Sequence, residues 1–113
     1  VSDQCIFCQI VKRQLPSQIV DEDEEFVVFQ DINPKAPVHV LAVPKRHIGS
    51  VNELTTAEVD LAGKWVLTAK KVAEKLGIGK AYQIKVAVGK GAGQTVEHLH
   101  MHVLGGWDKP QSE

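Results

Sequence analysis

Apolar residues recur along the chain with two different periods, and these periods divide it into helices and strands. Helical spacing over residues 5–15 predicts a short helix that ends before Pro16, because the residue that precedes a proline resists helical geometry. A second helical pattern predicts a long helix that ends at Gly77, with Thr55 and Glu58 as a capping box at its start. We expect the core-facing stripe of this helix to consist of Val59, Ala62, Trp65, Val66, Ala69, Val72, Ala73 and Leu76.

Strand-like segments lie on both sides of the long helix. Apolar runs and alternations predict five strands, at residues 17–21, 26–30, 39–43, 82–88 and 98–104. The acidic run at residues 21–25 is typical of a solvated turn. We therefore expect an α+β fold in a single domain over residues 1–113, with about five antiparallel strands, one long helix and one short helix.

The composition narrows the classes of partner. The formal net charge is −1 with both signs interspersed, which disfavours a nucleic-acid surface built on a strong positive field. No apolar run approaches the roughly 20 residues that span a bilayer, so we expect no membrane partner and a cytoplasmic location. Cys5 and Cys8 are too few and too close for a disulfide scaffold, and suit reduced thiols or metal ligands better.

The last predicted strand contains the most informative pattern in the chain. His98, His100 and His102 alternate with apolar residues, so their side chains should share one face of a half-buried strand. A neutral imidazole can act as nucleophile, general base or metal ligand. Surface histidines without a role are one alternative, and a zinc site formed by two of the three is another, since residues i and i+2 lie about 6.8 Å apart along a strand.

A glycine-rich loop precedes the histidines. Gly89, Gly91 and Gly93 leave the backbone N–H groups of residues 89–95 unobstructed, so an anion could approach them closely. Glycines in such a loop more often serve a turn alone. Next to a row of imidazoles, however, the loop favours phosphate chemistry.

These motifs together resemble those of the histidine-triad (HIT) superfamily, and in particular its Hint-like nucleotide-binding branch. The alternating histidines at 98–104 follow Gly-Gln-Thr-Val at 93–96 and precede two glycines at 105–106. Two upstream blocks, at residues 29–39 and 43–48, also match in order and distance. The resemblance covers nearly the whole chain, and it implies the HIT fold and a homodimer.

The resemblance also implies a reaction and a role for each site residue. His100 would attack the α-phosphorus of a nucleotide and form a nucleotidyl-histidine that water hydrolyses, while His102 and His39 donate to the developing charge. Asp31 would accept from the ribose hydroxyls and Ile32 would pack on the base. The phosphate and leaving group would be held by Gly93, Gln94 and Thr95.

A structural zinc site is the second implication. Cys5 and Cys8 have the short spacing of a ligand pair, although a CxxC can equally be a redox motif or part of a helix face. Some HIT proteins bind zinc through this pair and two histidines, which here are His47 and His98. Such a site would tie the amino-terminal helix to the catalytic strand. We expect no catalytic metal.

Two departures from the Hint-like pattern leave the function open between alternatives. Ala87 occupies a position that is usually asparagine, and Trp107 lies in a tail shorter than that of Hint-like dimers. The expected function is hydrolysis of purine nucleoside monophosphate phosphoramidates or related conjugates. The alternatives are a catalytically weak nucleotide-binding or scaffold protein, and a zinc hydrolase centred on the histidines themselves.

Overall fold

Five antiparallel strands form one sheet in the computed structural model, which describes residues 4–112. The sheet has the order β1-β2-β3-β5-β4. Its strands are β1 (Ile19–Glu22), β2 (Phe26–Gln30), β3 (Val38–Pro44), β4 (Tyr82–Lys85) and β5 (Met101–Gly105). The expected α+β fold with five antiparallel strands is therefore confirmed.

The last two strands are shorter than the sequence predicts, because the chain between them makes other contacts. β4 ends at Lys85 instead of residue 88, and β5 begins at Met101 instead of residue 98. The Leu99 N–H donates to the Ile48 carbonyl at 2.6 Å and not to a neighbouring strand. The glycine loop is thus part of a long connection, and it contains a 3₁₀ turn at Lys90–Ala92.

The two helices differ in how they begin and end. The short helix α1 covers Ile6–Val11, with the Cys5 side chain as its N-cap, and ends four residues earlier than predicted. It stops there because Arg13 adopts a left-handed conformation with φ 62°. The long helix α2 covers Val59–Lys75, and the predicted Thr55–Glu58 capping box is present on the 3₁₀ turn that leads into it. Neither helix in the described part of the chain is long and apolar enough to cross a membrane.

The sheet buries a core on each face. On one face, side chains such as Val40 and Met101 pack against α2 through Trp65, Ala69 and Val72. On the other face, α1 contributes Phe7 and Ile10 to a smaller cluster with Val27, Phe29, Leu41 and Val43. Leu99, Met101 and Val103 all lie in the first cluster, so the alternation predicted for the last strand correctly separates its two faces.

The predicted apolar stripe of α2 is only partly buried. Val66 is 49% exposed and Val59 is 63% exposed, so both predictions of core positions are wrong. The helix meets the sheet through Trp65, and the next residue is rotated by about 100° around the axis, away from the contact. Leu67, also 63% exposed, extends the uncovered apolar surface beside Val59 and Val66. We call these three residues the α2 patch.

Replacing Trp65 with phenylalanine should destabilise the protein measurably. The buried indole Nε1–H donates to the Ala42 carbonyl at 2.9 Å, and phenylalanine would remove this hydrogen bond and leave a smaller ring in the core. We expect a loss of about 1–3 kcal/mol in the free energy of unfolding, measured by urea denaturation. Glu24→Ala, in the exposed β1–β2 turn, serves as the control and should leave the midpoint unchanged. Equal midpoints for Trp65→Phe and the control would contradict the prediction.

Candidate active site and metal site

Three histidines converge on the face of the sheet that carries α1. His102 lies on β5 opposite Leu41, and His39 lies on β3 opposite Leu104. This register places the two imidazoles on neighbouring strands, with His39 Nε2 and His102 Nδ1 2.9 Å apart. The His100 ring is adjacent, with its centroid 5.1 Å from that of His102. The predicted catalytic histidines His39, His100 and His102 are thus brought together.

A main-chain carbonyl two residues earlier fixes the tautomer of His100. Its Nδ1 lies 2.7 Å from the carbonyl oxygen of His98, and because a carbonyl only accepts, Nδ1 carries the proton. The Nε2 atom therefore keeps its lone pair. Phe7 from α1 packs edge-on against this ring at a centroid distance of 5.1 Å, and the His100 residue is only 7% exposed. The arrangement directs Nδ1–H to the main chain and makes Nε2 the nitrogen that can act as a base.

His39 and His102 are hydrogen-bonded to each other, and each carries its proton on Nε2, whereas His100 carries its proton on Nδ1. The main-chain N–H of Lys35 donates to His39 Nδ1 at 2.9 Å, so the proton of His39 lies on Nε2 and is donated to His102 Nδ1. His102 consequently carries its own proton on Nε2, where it is available as a donor. Burial, reinforced by the neighbouring imidazoles, lowers the pKa of His102 to about 4. Burial also lowers the pKa of His39, so both rings are neutral at pH 7.

Asp31 and Ile32 lie at the edge of this pair. One carboxylate oxygen of Asp31 accepts from the Asn33 N–H at 2.8 Å. The other lies 3.4 Å from His39 Nε2 and 4.0 Å from His102 Nδ1. Ile32 is 90% exposed, an unusual exposure for a large aliphatic side chain. A carboxylate therefore adjoins the imidazoles, and the next residue along the chain presents an uncovered apolar side chain.

Asp31, His39 and His102 are close enough together to suggest a metal site, since their ligand atoms lie within 4.8 Å of one another. The hydrogen bonds of His39 indicate instead that these residues do not hold a metal ion. With Lys35 N–H on one ring nitrogen of His39 and a proton on the other, that neutral ring has no free lone pair. This argues against the alternative of a zinc hydrolase centred on these histidines.

A second cluster contains the four predicted metal ligands. Cys5 Sγ lies 3.3 Å from His98 Nδ1, and Cys8 Sγ lies 3.2 Å from His47 Nδ1 and 3.4 Å from His98 Nδ1. The two Nδ1 atoms are 3.2 Å apart. A tetrahedral zinc ion with bonds of about 2.0–2.3 Å has ligand–ligand edges of roughly 3.3–3.8 Å, close to these distances. The cluster can therefore hold a metal ion.

The surroundings of this cluster also suit a metal. His98 is fully buried, and its Nε2–H donates to the Pro44 carbonyl at 2.8 Å, which directs the Nδ1 lone pair towards the cysteines. Burial lowers the pKa of His98 to about 4, which keeps it in the neutral form that binds metals. Burial and the adjacent Cys5 raise the pKa of the Cys8 thiol to about 11. A pair of thiolates here would need a bound cation to balance their charge.

The glycine loop is held in place by a buried side chain. Gly89 and Gly93 have φ angles of 84° and 101°, which glycine adopts without strain. Gln94 is 7% exposed and accepts from the Gly89 N–H at 2.9 Å. Its amide donates to the Gly49 and Val96 carbonyls at 2.7 and 2.9 Å. Because the Gln94 side chain is fully engaged, its contribution is to shape the loop, while Gly93 and Thr95 are exposed.

Several partners in the site carry no signal in the sequence. The Lys35 N–H, the Pro44 carbonyl and the His98 carbonyl are main-chain groups whose roles depend on strand register. Phe7 is apolar within a helix, which alone indicates packing and not contact with a catalytic ring. Ala87 is half-buried in the segment that follows β4, and Trp107 is half-buried beyond β5.

Comparisons with known proteins agree with this geometry. A family model described as "Scavenger mRNA decapping enzyme C-term binding" matches residues 4–112. A HIT-like protein from Synechocystis is 42% identical over 106 residues, covering 94% of this chain and 93% of its own. Protein HitA from Neisseria gonorrhoeae is also 42% identical, over 91% of this chain and 96% of its own.

Solved structures give the same result. A HIT family hydrolase from Clostridium thermocellum superposes with a TM-score of 0.93 at 46% identity, covering 99% of this chain and 98% of that one. A histidine triad protein from Clostridium difficile has a TM-score of 0.92 at 35% identity, covering 100% of this chain and 99% of that one. The chain belongs to the HIT family, and its fold is that of HIT family hydrolases.

Removing the Gln94 amide should loosen the glycine loop. Gln94→Ala would leave the Gly89 N–H and the buried Gly49 carbonyl without this partner. We expect a loss of about 1–3 kcal/mol in stability and faster hydrogen exchange at residues 89–96. Gln111→Ala is the matched control, since that exposed side chain contacts only the Lys109 carbonyl. Unchanged exchange in the loop of Gln94→Ala would show that the amide does not hold it.

Proposed function

We propose that this protein is a nucleotidyl hydrolase that cleaves purine nucleoside 5′-monophosphate phosphoramidates, or related conjugates, through a nucleotidyl-histidine intermediate at His100. The observation that carries the proposal is the hydrogen bond from His100 Nδ1 to the His98 carbonyl. It leaves Nε2 unprotonated, as a nucleophile requires. The adjacent His102 offers a proton at Nε2, so an acceptor and a donor stand side by side.

The proposed steps use the lone pair on His100 Nε2 and the proton on His102 Nε2. His100 Nε2 attacks the α-phosphorus, the phosphorus–nitrogen bond breaks, and the amine leaves with a proton taken from solvent, which is returned when the attacking water loses a proton in the second step. The positive charge that develops on His100 is stabilised because its Nδ1–H points at a carbonyl dipole. His102 Nε2–H donates to a phosphoryl oxygen. Water then attacks the phosphorus, which releases the nucleoside monophosphate and restores the neutral imidazole.

The neighbouring residues supply recognition in this proposal. The Asp31 carboxylate accepts from the ribose hydroxyls, and the uncovered Ile32 side chain packs on the purine. Exposed backbone at Gly93 and Thr95 in the glycine loop holds the phosphate and the leaving group. The Gln94 side chain supports that loop from within.

Release of AMP from adenosine 5′-phosphoramidate tests the proposal. We expect turnover by the wild-type protein and its loss, by about a thousandfold or more, in His100→Ala, because removal of a nucleophile abolishes the covalent route. AMP binding, measured by calorimetry, should persist in the variant. Lys109→Ala, an exposed position in the carboxyl-terminal segment, is the control and should turn over normally.

A folded wild-type protein that binds AMP without turnover would favour the binding or scaffold function instead. Ala87→Asn would then be the informative variant. Recovery of activity would trace the deficit to the polar side chain that alanine lacks at this position.

We further propose that Cys5, Cys8, His47 and His98 hold a structural zinc ion. Support comes from the near-tetrahedral distances and from the His98–Pro44 hydrogen bond. With four protein ligands, the site has no open position for substrate, so the ion would supply structural stability and no catalytic step. The reduced thiols that this site needs agree with a cytoplasmic location.

Cys8→Ser should abolish zinc binding and lower the melting temperature. We expect about one zinc per chain in the wild type and far less in the variant, measured by atomic emission after gel filtration. His100→Ala should retain the metal, since His100 is not one of the four candidate ligands and its Nδ1–H donates to the His98 carbonyl. If brief chelation stopped turnover while the protein stayed folded, the metal would have a catalytic role and this proposal would fail.

A homodimer is the third part of the proposal. The α2 patch of Val59, Val66 and Leu67 lies uncovered, and edge strand β4 presents the 40% exposed side chain of Ile84. An unpaired edge and an exposed apolar patch are both suited to a second copy of the chain.

Leu67→Glu should shift the protein from dimer to monomer in sedimentation velocity, because a buried carboxylate at an apolar interface is costly. Gln14→Glu adds the same charge at an exposed position beyond α1 and should sediment like the wild type. Identical sedimentation of wild type and Leu67→Glu would remove the α2 patch from the interface.

A further inference from the structure

Asp31 is fixed against the histidine pair by contacts that do not involve a ligand. Its main-chain N–H donates to the His39 carbonyl at 3.0 Å, which pins the start of the loop after β2 to strand β3. One carboxylate oxygen accepts from the Asn33 N–H. The other, in a side chain that is 17% exposed, faces His39 Nε2 at 3.4 Å and His102 Nδ1 at 4.0 Å. Groups of this chain alone therefore define the orientation of the carboxylate.

We propose that Asp31 is a positioning residue that places its negative charge against the His39–His102 pair, in addition to its role in holding the ribose. The catalytic consequence rests on the proposed function. The contact itself does not rest on the proposed function, because it forms between side chains of this chain alone. In this view, Asp31 prepares His102 for an anionic phosphoryl group by making it less costly for the pair to carry positive charge.

The other charged groups around the pair all act in the opposite sense. Lys35 and Lys85 disfavour a proton on His39, whereas Lys85, His39 and His100 disfavour one on His102. Burial has the largest effect and also disfavours the charged form. Asp31 is the nearby group that favours a proton on both rings. Its removal should therefore lower the pKa of each histidine further.

NMR of the ligand-free protein tests the contact. We expect Asp31→Asn to lower the pKa of His102 by about one unit, read from imidazole ¹⁵N shifts as the pH is decreased through 4 until both transitions are complete. Asparagine keeps an oxygen for the Asn33 N–H, so the turn should persist. Asp31→Glu should restore part of the difference, and Glu24→Gln, remote in the β1–β2 turn, should not change it. An unchanged His102 pKa in Asp31→Asn would overturn the proposal.

Kinetics with a substrate that lacks ribose hydroxyls test the consequence. The 2′,3′-dideoxy form of adenosine 5′-phosphoramidate offers no hydroxyl to Asp31, so a role in ribose binding alone predicts no effect of Asp31→Asn on its turnover. We expect kcat for this substrate to fall several-fold in the variant, because His102 is then harder to charge. An unchanged kcat would overturn the catalytic role. Absence of turnover in the wild type would instead refute the proposed function, and the NMR titration would still decide the contact.

Discussion

The antiparallel pairing of β3 and β5 is the constraint on which the candidate site depends. Its register sets Leu41 opposite His102 and His39 opposite Leu104, so imidazoles from distant parts of the chain meet on one face. The same alternation sends Met101 and Val103 into the core beneath α2. A shift of one residue would bury the imidazoles in that core and turn its aliphatic side chains towards α1. Core packing and site geometry are therefore stabilised by the same ladder of hydrogen bonds.

Chemically identical side chains two residues apart differ because of their hydrogen-bond partners. His98 donates from Nε2 to the Pro44 carbonyl and directs Nδ1 to the cysteines, whereas His100 donates from Nδ1 and keeps Nε2 free. His102 accepts at Nδ1 from His39. Each tautomer is set by a different neighbour, so residues 98–102 supply a candidate metal ligand, a basic nitrogen and a donor. The division of roles is a property of the tertiary structure around the strand.

Local periodicity in the sequence was sufficient for the strands, their faces and the capping box at Thr55, because each depends on neighbouring residues. It failed at Val66, where apolarity alone does not reveal whether a second surface covers the helix. The extent of the last strand was also missed, since Leu99 bonds to Ile48, half the chain away. The inward orientation of Gln94 and the donor at Lys35 arise from similar long-range contacts. The motif indicates which residues belong to the candidate site, whereas the tautomers of its histidines depend on contacts that form only in the fold.

The position of α1 has a consequence for motion. A helix of six residues has little stability of its own in water, so it persists here through its contacts with the sheet and through the cysteines that flank its first turn. Yet this helix supplies Phe7, the ring that covers one edge of His100. The ring that covers His100 thus belongs to an element prone to local unfolding, and each opening of α1 would expose the His100 imidazole to water. How often that opening occurs sets how long His100 stays shielded from solvent.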